Sequence, residues 1–235
     1  MRILAFDTSG NACSAAVWHD GIVAARRTEH MVRGHTEALI PMVLGVLRDA
    51  DCGFDTLNWL AVTIGPGSFT GIRAGLAAAR GIALARELPV LGIDTFATVL
   101  RGVDRTKPDE AGNRLRVIAL DSRRKEIYLR IFSALNEAVS EPDLVAPENV
   151  ATRIGNQPIM LAGSAALQLG SVLDEAGLDV HMVPGFEVPD AGDLAGLAAD
   201  RIAKRRAGDV LAKLAPLYLH APYAVRPAGG GRLRP

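Results

Sequence analysis

The chain has 235 residues, 49% of them hydrophobic, and its 26 Lys plus Arg balance 26 Asp plus Glu. That is enough apolar material for one large or two small cores, and the charge balance argues against a polyanion or a membrane surface as the overall partner. Only Cys13 and Cys52 occur, which excludes a disulfide framework or a four-cysteine metal site and leaves two thiols expected to be buried. No apolar run reaches the roughly 18 residues of a membrane span, and the run in MRILAFDTSG is too short for a signal segment, so the expected location is the cytosol.

Residues 2–7 read as a strand. Residues 12–17, a turn at Asp20-Gly21 and residues 22–26 read as hairpin partners that extend it into a three-stranded antiparallel start. From Gly34 to Ala50, Leu39, Ile40, Val43, Leu44 and Leu47 keep helical spacing, with Pro41 tolerated in the first turns. An apolar strand over 60–64 then meets GPGSFTGIRAG, which leads into a small-residue helix over 71–87. Pro89 introduces a short strand over 90–93, and Asp94 can cap a brief helix reaching Leu100. The charged stretch 101–114, with Pro108 and Gly112, reads as a linker.

After the linker the pattern restarts. AFDT at 5–8 is matched by ALDS at 119–122: each ends an apolar strand on Asp and a hydroxyl residue and runs into a hairpin partner, here 126–133. The strand over 159–162, followed by Gly163 and Ser164 opening a helix, matches Ile64, Gly65 and its helix. Two matches in the same order argue for an internal duplication. A last helix is predicted over 190–206, then a proline-interrupted segment PLYLHAPYAVRP and a disordered GGGRLRP end. Two such domains, each starting with a hairpin-extended strand bearing Asp-Thr or Asp-Ser, describe the architecture of actin, sugar kinases and Hsp70. The expected division is 1–104, 105–222 and a tail over 223–235.

GPGSFTGIRAG admits two readings from its spacing. Its glycines permit close backbone approach, and the helix N-terminus beyond it could receive an anion. It matches neither GxGxxG nor GxxxxGK[ST], however, and a tight strand-to-helix turn explains it as well.

On GPGSFTGIRAG, FDTS at 6–9, GHTEALIP at 34–41 and PLYLHAP at 216–222, the chain resembles the TsaB (YeaZ) family. The resemblance implies a duplicated actin-like α/β fold and a role in forming threonylcarbamoyladenosine at position 37 of tRNAs that read ANN codons. It implies a non-catalytic subunit that pairs with TsaD, which transfers the threonylcarbamoyl group, and that recruits the ATPase TsaE through that heterodimer. It further implies a homodimer when alone, and tRNA met only through the complex. His220 stands where relatives often carry Arg.

The residues set limits on chemistry of the chain's own. A shared metal on one helix face needs histidines at i and i+4, and His19, His30, His35, His181 and His220 offer no such pair. No catalytic residue and no metal ligand are therefore assigned. Asp7, Thr8 and Ser9 have the residue types of the first phosphate hairpin of actin-like ATPases and are the candidates for weak ATP/ADP–Mg contact, although Asp7 is equally readable as a strand-end cap. The second hairpin, DSRRKE at 121–126, lacks the glycines that bring backbone N–H groups onto a phosphate. His35 with Glu37 reads as an acid/base pair or as a solvated helix start. Arg73, Arg80 and Arg86 read as a tRNA stripe or as a solvated helix face. The partner surface is expected on the helices over 34–50 and 71–86, with Leu39, Val43, Gly71, Arg73, Ala74, Gly75 and Ala78 as its residues.

Overall fold

A computed structural model describes residues 1–106, 112–204 and 214–219. The expected tail and His220 lie outside them.

The first sheet is built from β1 (Arg2–Asp7), β2 (Ala12–His19), β3 (Ile22–His30), β4 (Trp59–Thr63) and β5 (Val90–Ile93), in the order β3-β2-β1-β4-β5. β1, β2 and β3 pair antiparallel, and β4 and β5 join β1 in parallel. Alternation along β1 explains why both faces are covered. Leu4 and Phe6 pack with Leu39, Val43, Ile72 and Leu76 of α1 (His35–Asp49) and α2 (Phe69–Arg86), while Ile3 and Ala5 pack with Leu194, Ala195 and Ala198 of a helix from the end of the chain.

The second sheet has the same plan. β6 (Leu115–Asp121), β7 (Ile127–Phe132), β8 (Asp143–Val145), β9 (Ile159–Ala162) and β10 (Val180–Met182) run in the order β10-β9-β6-β7-β8, with antiparallel pairing on one side of β6 and parallel pairing on the other. The duplication expected from AFDT and ALDS is thus a duplication of sheet topology. α4 (Val150–Ile154) and α5 (Ala166–Glu175) pack on one face through Ile154, Leu169 and Leu173.

Two helices cross between the halves. α3 (Thr95–Thr106) follows β5 but buries Phe96, Val99, Leu100 and Val103 against Ile118, Tyr128 and Met160 of the second sheet. α6 (Ala191–Ala203) is the helix that backs the first sheet. The stretch read as a linker is therefore helical as far as Thr106. Two of its charges serve the crossing: Arg105 meets Asp193 at 2.6 Å and Arg101 meets Asp200 at 2.9 Å on α6. The domain division expected at 104/105 falls in the last turn of α3.

Other differences are local. β2 and β3 continue to His19 and His30, α2 begins at Phe69, and Cys52 is half-buried where Cys13 is fully buried. Among the described residues no helix is long and apolar enough to cross a membrane.

Candidate functional site

β1 delivers Asp7, Thr8 and Ser9 to the middle of the molecule, where all three are buried. The Asp7 Oδ1 accepts from the Ser9 backbone N–H at 3.1 Å, from the Ser9 hydroxyl at 2.6 Å and from the Thr63 hydroxyl, while Oδ2 has no partner. Burial pushes the Asp7 carboxyl above the usual aspartate value, against the opposing pull of those three bonds and of His35. Thr8 spends its hydroxyl on the Gly71 carbonyl at 2.7 Å.

GPGSFTGIRAG closes directly on this loop. The Ser68 N–H donates to the Ser9 carbonyl at 2.7 Å, and the Thr95 N–H donates to the Gly65 carbonyl at 2.8 Å. A Cβ at Gly67 would stand 2.3 Å from the Ser9 carbonyl oxygen, one at Gly71 1.9 Å from that of Thr8, and one at Gly75 2.7 Å from the Thr8 hydroxyl. Gly65 has φ 104°, in the left-handed region. What Gly67, Gly71 and Gly75 let approach is the chain's own β1–β2 loop. Ser68 caps α2 by accepting from the Gly71 N–H at 3.2 Å.

Between the halves lies a cleft of about 310 Å³, lined by Ser9–Asn11, the start of α2 at Gly67–Thr70, and Asp121–Arg124 with Tyr128 of the second hairpin. Asp7 does not line it. Arg123 sits at φ 60° with its N–H on Asp121 Oδ1 at 2.7 Å, and its guanidinium crosses the cleft to Asn11 Oδ1 at 2.8 Å. The two hairpins are thus joined by a side chain where glycine-bearing hairpins would offer backbone donors to a phosphate. For a Mg-nucleotide the fit is poor: the carboxylate expected near the metal points into protein, and a guanidinium spans the opening. Among the described residues no group of three or more His, Cys, Asp or Glu could hold a metal ion.

The histidine and arginine candidates separate. His35 is buried and its Nε2–H donates to the Gly10 carbonyl at 3.1 Å, whereas Glu37 is exposed, so the two do not form a pair. Arg73 donates to the Tyr218 hydroxyl at 2.9 Å, Arg80 to the Leu214 carbonyl at 2.7 Å, and Arg86 lies 5.9 Å over the Phe54 ring. Those cations hold other parts of the chain.

α1 and α2 pack beside one another. Of the residues expected on a partner surface, Leu39, Val43, Gly71 and Gly75 are buried in the core, Ala74 and Ala78 are half-buried, and Arg73 is exposed. The large apolar side chains exposed on these helices are Ile40 (42% exposed) and Leu44 (48%) on α1, and Phe69 (42%), which stacks on Tyr218, and Leu84 (85%) on α2. Ile40 and Leu44 are four apart and so share one face of α1. None of these is among the partner residues expected from sequence: Ile40 and Leu44 fall in one helical pattern with Leu39 and Val43, which does not separate outward from inward positions.

Two sheets of one strand order, each led by a hairpin-extended strand, with helices exchanged between them, define a duplicated actin-like α/β protein. A family model described as TsaD, tRNA N6-adenosine threonylcarbamoyltransferase, matches residues 24–172, and the chain belongs to that family. Its likeness within it is to the TsaB (YeaZ) proteins, as its motifs implied. The tRNA threonylcarbamoyladenosine biosynthesis protein TsaB of Escherichia coli K12 is 42% identical over 128 residues, 54% of this chain and 53% of that protein, so the match spans about half the length of this relative. YeaZ from Pseudomonas aeruginosa superimposes with a TM-score of 0.77 at 27% identity, covering 93% of this chain and 99% of that one. Component A of the Acidaminococcus fermentans (R)-2-hydroxyglutaryl-CoA dehydratase shares the fold, with a TM-score of 0.52 at 11% identity.

Proposed function

We propose that this chain acts in forming threonylcarbamoyladenosine at position 37 of ANN-decoding tRNAs, as a non-catalytic subunit that pairs with TsaD and activates it. The observation that carries the pairing is the solvent-exposed Ile40, Leu44 and Leu84 on two helices packed side by side, an apolar surface that a partner would cover. The likeness to TsaB supplies the pathway. On this reading TsaD performs the transfer, TsaE joins through the heterodimer, tRNA is met through the complex, and the chain alone pairs with itself through the same face. No cofactor is required by the chain, and nucleotide contact is weak at most.

A second reading, a nucleotide-dependent enzyme acting alone, is favoured by one observation: the cleft lies between the two hairpins. Release of phosphate from ATP by the purified chain separates the two. The first reading expects none above background, and turnover by the chain alone would establish the second.

A further inference from the structure

The segment Leu214–Leu219 crosses the beginning of α2. The Leu217 N–H donates to the Ile64 carbonyl at 2.7 Å, and a Cβ at Gly65 would stand 3.0 Å from the Leu217 carbonyl oxygen, so the segment is pressed onto the glycine-rich turn. Leu214 packs against the core of the first half, and Leu219 against the cluster between α3 and the second sheet. It is a strap fastened at both halves.

Between these anchors it grips α2. The Tyr218 ring stacks on Phe69 with centroids 5.4 Å apart, and the Tyr218 hydroxyl accepts from Arg73 Nε at 2.9 Å. The Arg73 guanidinium lies 3.6 Å over the Phe69 ring, and Arg80 reaches the Leu214 carbonyl at 2.7 Å. Phe69, Arg73 and Arg80 are spaced by four and seven and form one stripe of the helix. Ala77, Gly81 and Leu84, all exposed, form the stripe next to it. The strap therefore borders the exposed apolar face and leaves it open.

We propose that the strap is a positioning element of the partner surface, with Tyr218 and the Leu214 carbonyl fixing Arg73 and Arg80 as its rim. Long cationic side chains lose much rotamer freedom on association, and a rim ordered beforehand avoids that loss at the moment of pairing. The partner it fits is an apolar helical surface edged by carboxylates that meet the two guanidinium groups. Because Phe69 also lines the cleft, the same strap ties this rim to the cleft mouth. The inference rests on the reading of α1 and α2 as the pairing face.

The test compares full-length wild type with Tyr218→Ala, Arg73→Ala and Leu84→Asp, reading the dissociation constant with TsaD and hydrogen exchange across residues 66–80. Tyr218→Ala and Arg73→Ala are each expected to weaken pairing by about tenfold, the scale of one or two side chains left unordered, with exchange across 66–80 accelerated by Tyr218→Ala. Leu84→Asp should abolish pairing and leave that exchange unchanged. Wild-type affinity in both Tyr218→Ala and Arg73→Ala, with Leu84→Asp defective, would overturn the strap's role and leave the pairing face standing. Wild-type affinity in Leu84→Asp would overturn the pairing face, and the strap's role with it. Arg73 is exposed, so its variant keeps the test decisive should Tyr218→Ala fail to fold.

Discussion

Asp7 buries a carboxylate with one oxygen accepting three bonds and the other none. Burial raises its folded-state affinity for a proton above that of the unfolded chain, whose aspartate titrates near 3.8. The sign follows from linkage: the stability that this group contributes is fully present below the ordinary aspartate value and is lost as pH rises through the raised one. Asp7→Asn keeps an oxygen for the three donors and removes the charge. Thermal or denaturant melts from about pH 4 to 7 should then lose a component of slope worth at most about 1.4 kcal/mol per pH unit, one proton's share. An unaltered slope would mean that Asp7 is ionised throughout. The same burial explains why a residue that reads as a metal-side carboxylate from its FDTS setting lies outside the cleft. Sequence identifies the strand end, but the orientation of the side chain is set by Thr63, Ser9 and the closing glycine turn.

α2 shows what its small residues are for. Gly71→Ala would drive a methyl to 1.9 Å from the Thr8 carbonyl oxygen, a backbone atom that cannot swing away. A loss of about 2–3 kcal/mol or more is expected. Gly81→Ala meets nothing within 4 Å and should stabilise the helix by about 0.5–1 kcal/mol. Denaturant midpoints of the two variants check both; equal effects would refute the account of the turn. This element also shows where the sequence was informative. Strands, helices and their order were legible from period and turn residues through most of the first half, as was the Asp94 cap, whose Oδ1 accepts from the Ala97 N–H at 2.8 Å. β8 and β10 were not, since three residues are too few to establish alternation. Leu39 and Val43, expected on a partner surface, lie in the core, because helical periodicity marks the face that the protein buries for itself. Ile40 and Leu44 fall in the same helical pattern as Leu39 and Val43, one residue further round the helix, so which pair faces outward is set only when α1 docks on the sheet.

Across the whole molecule, the halves are interlocked by the exchange of α3 and α6 and by ion pairs that cross between them. Arg130 on β7 meets Asp94 at the start of α3 at 3.2 Å, and Arg105 near the other end of α3 meets Asp193 at 2.6 Å. Arg123 reaches Asn11 across the cleft, and the strap is anchored on both cores. The chain thus has the frame of an actin-like ATPase, with the opening between its hairpins bridged by its own side chain and an apolar face turned outward. That combination is the basis for reading it as an activating partner. The most direct measurement is threonylcarbamoyladenosine in ANN-decoding tRNA, quantified by mass spectrometry after reconstitution with TsaD, TsaE and threonylcarbamoyl-AMP, with and without this chain and with Leu84→Asp in its place. The account predicts modification only with the wild-type chain and its loss with Leu84→Asp. Full modification in the chain's absence, or by the chain without TsaD, would contradict it.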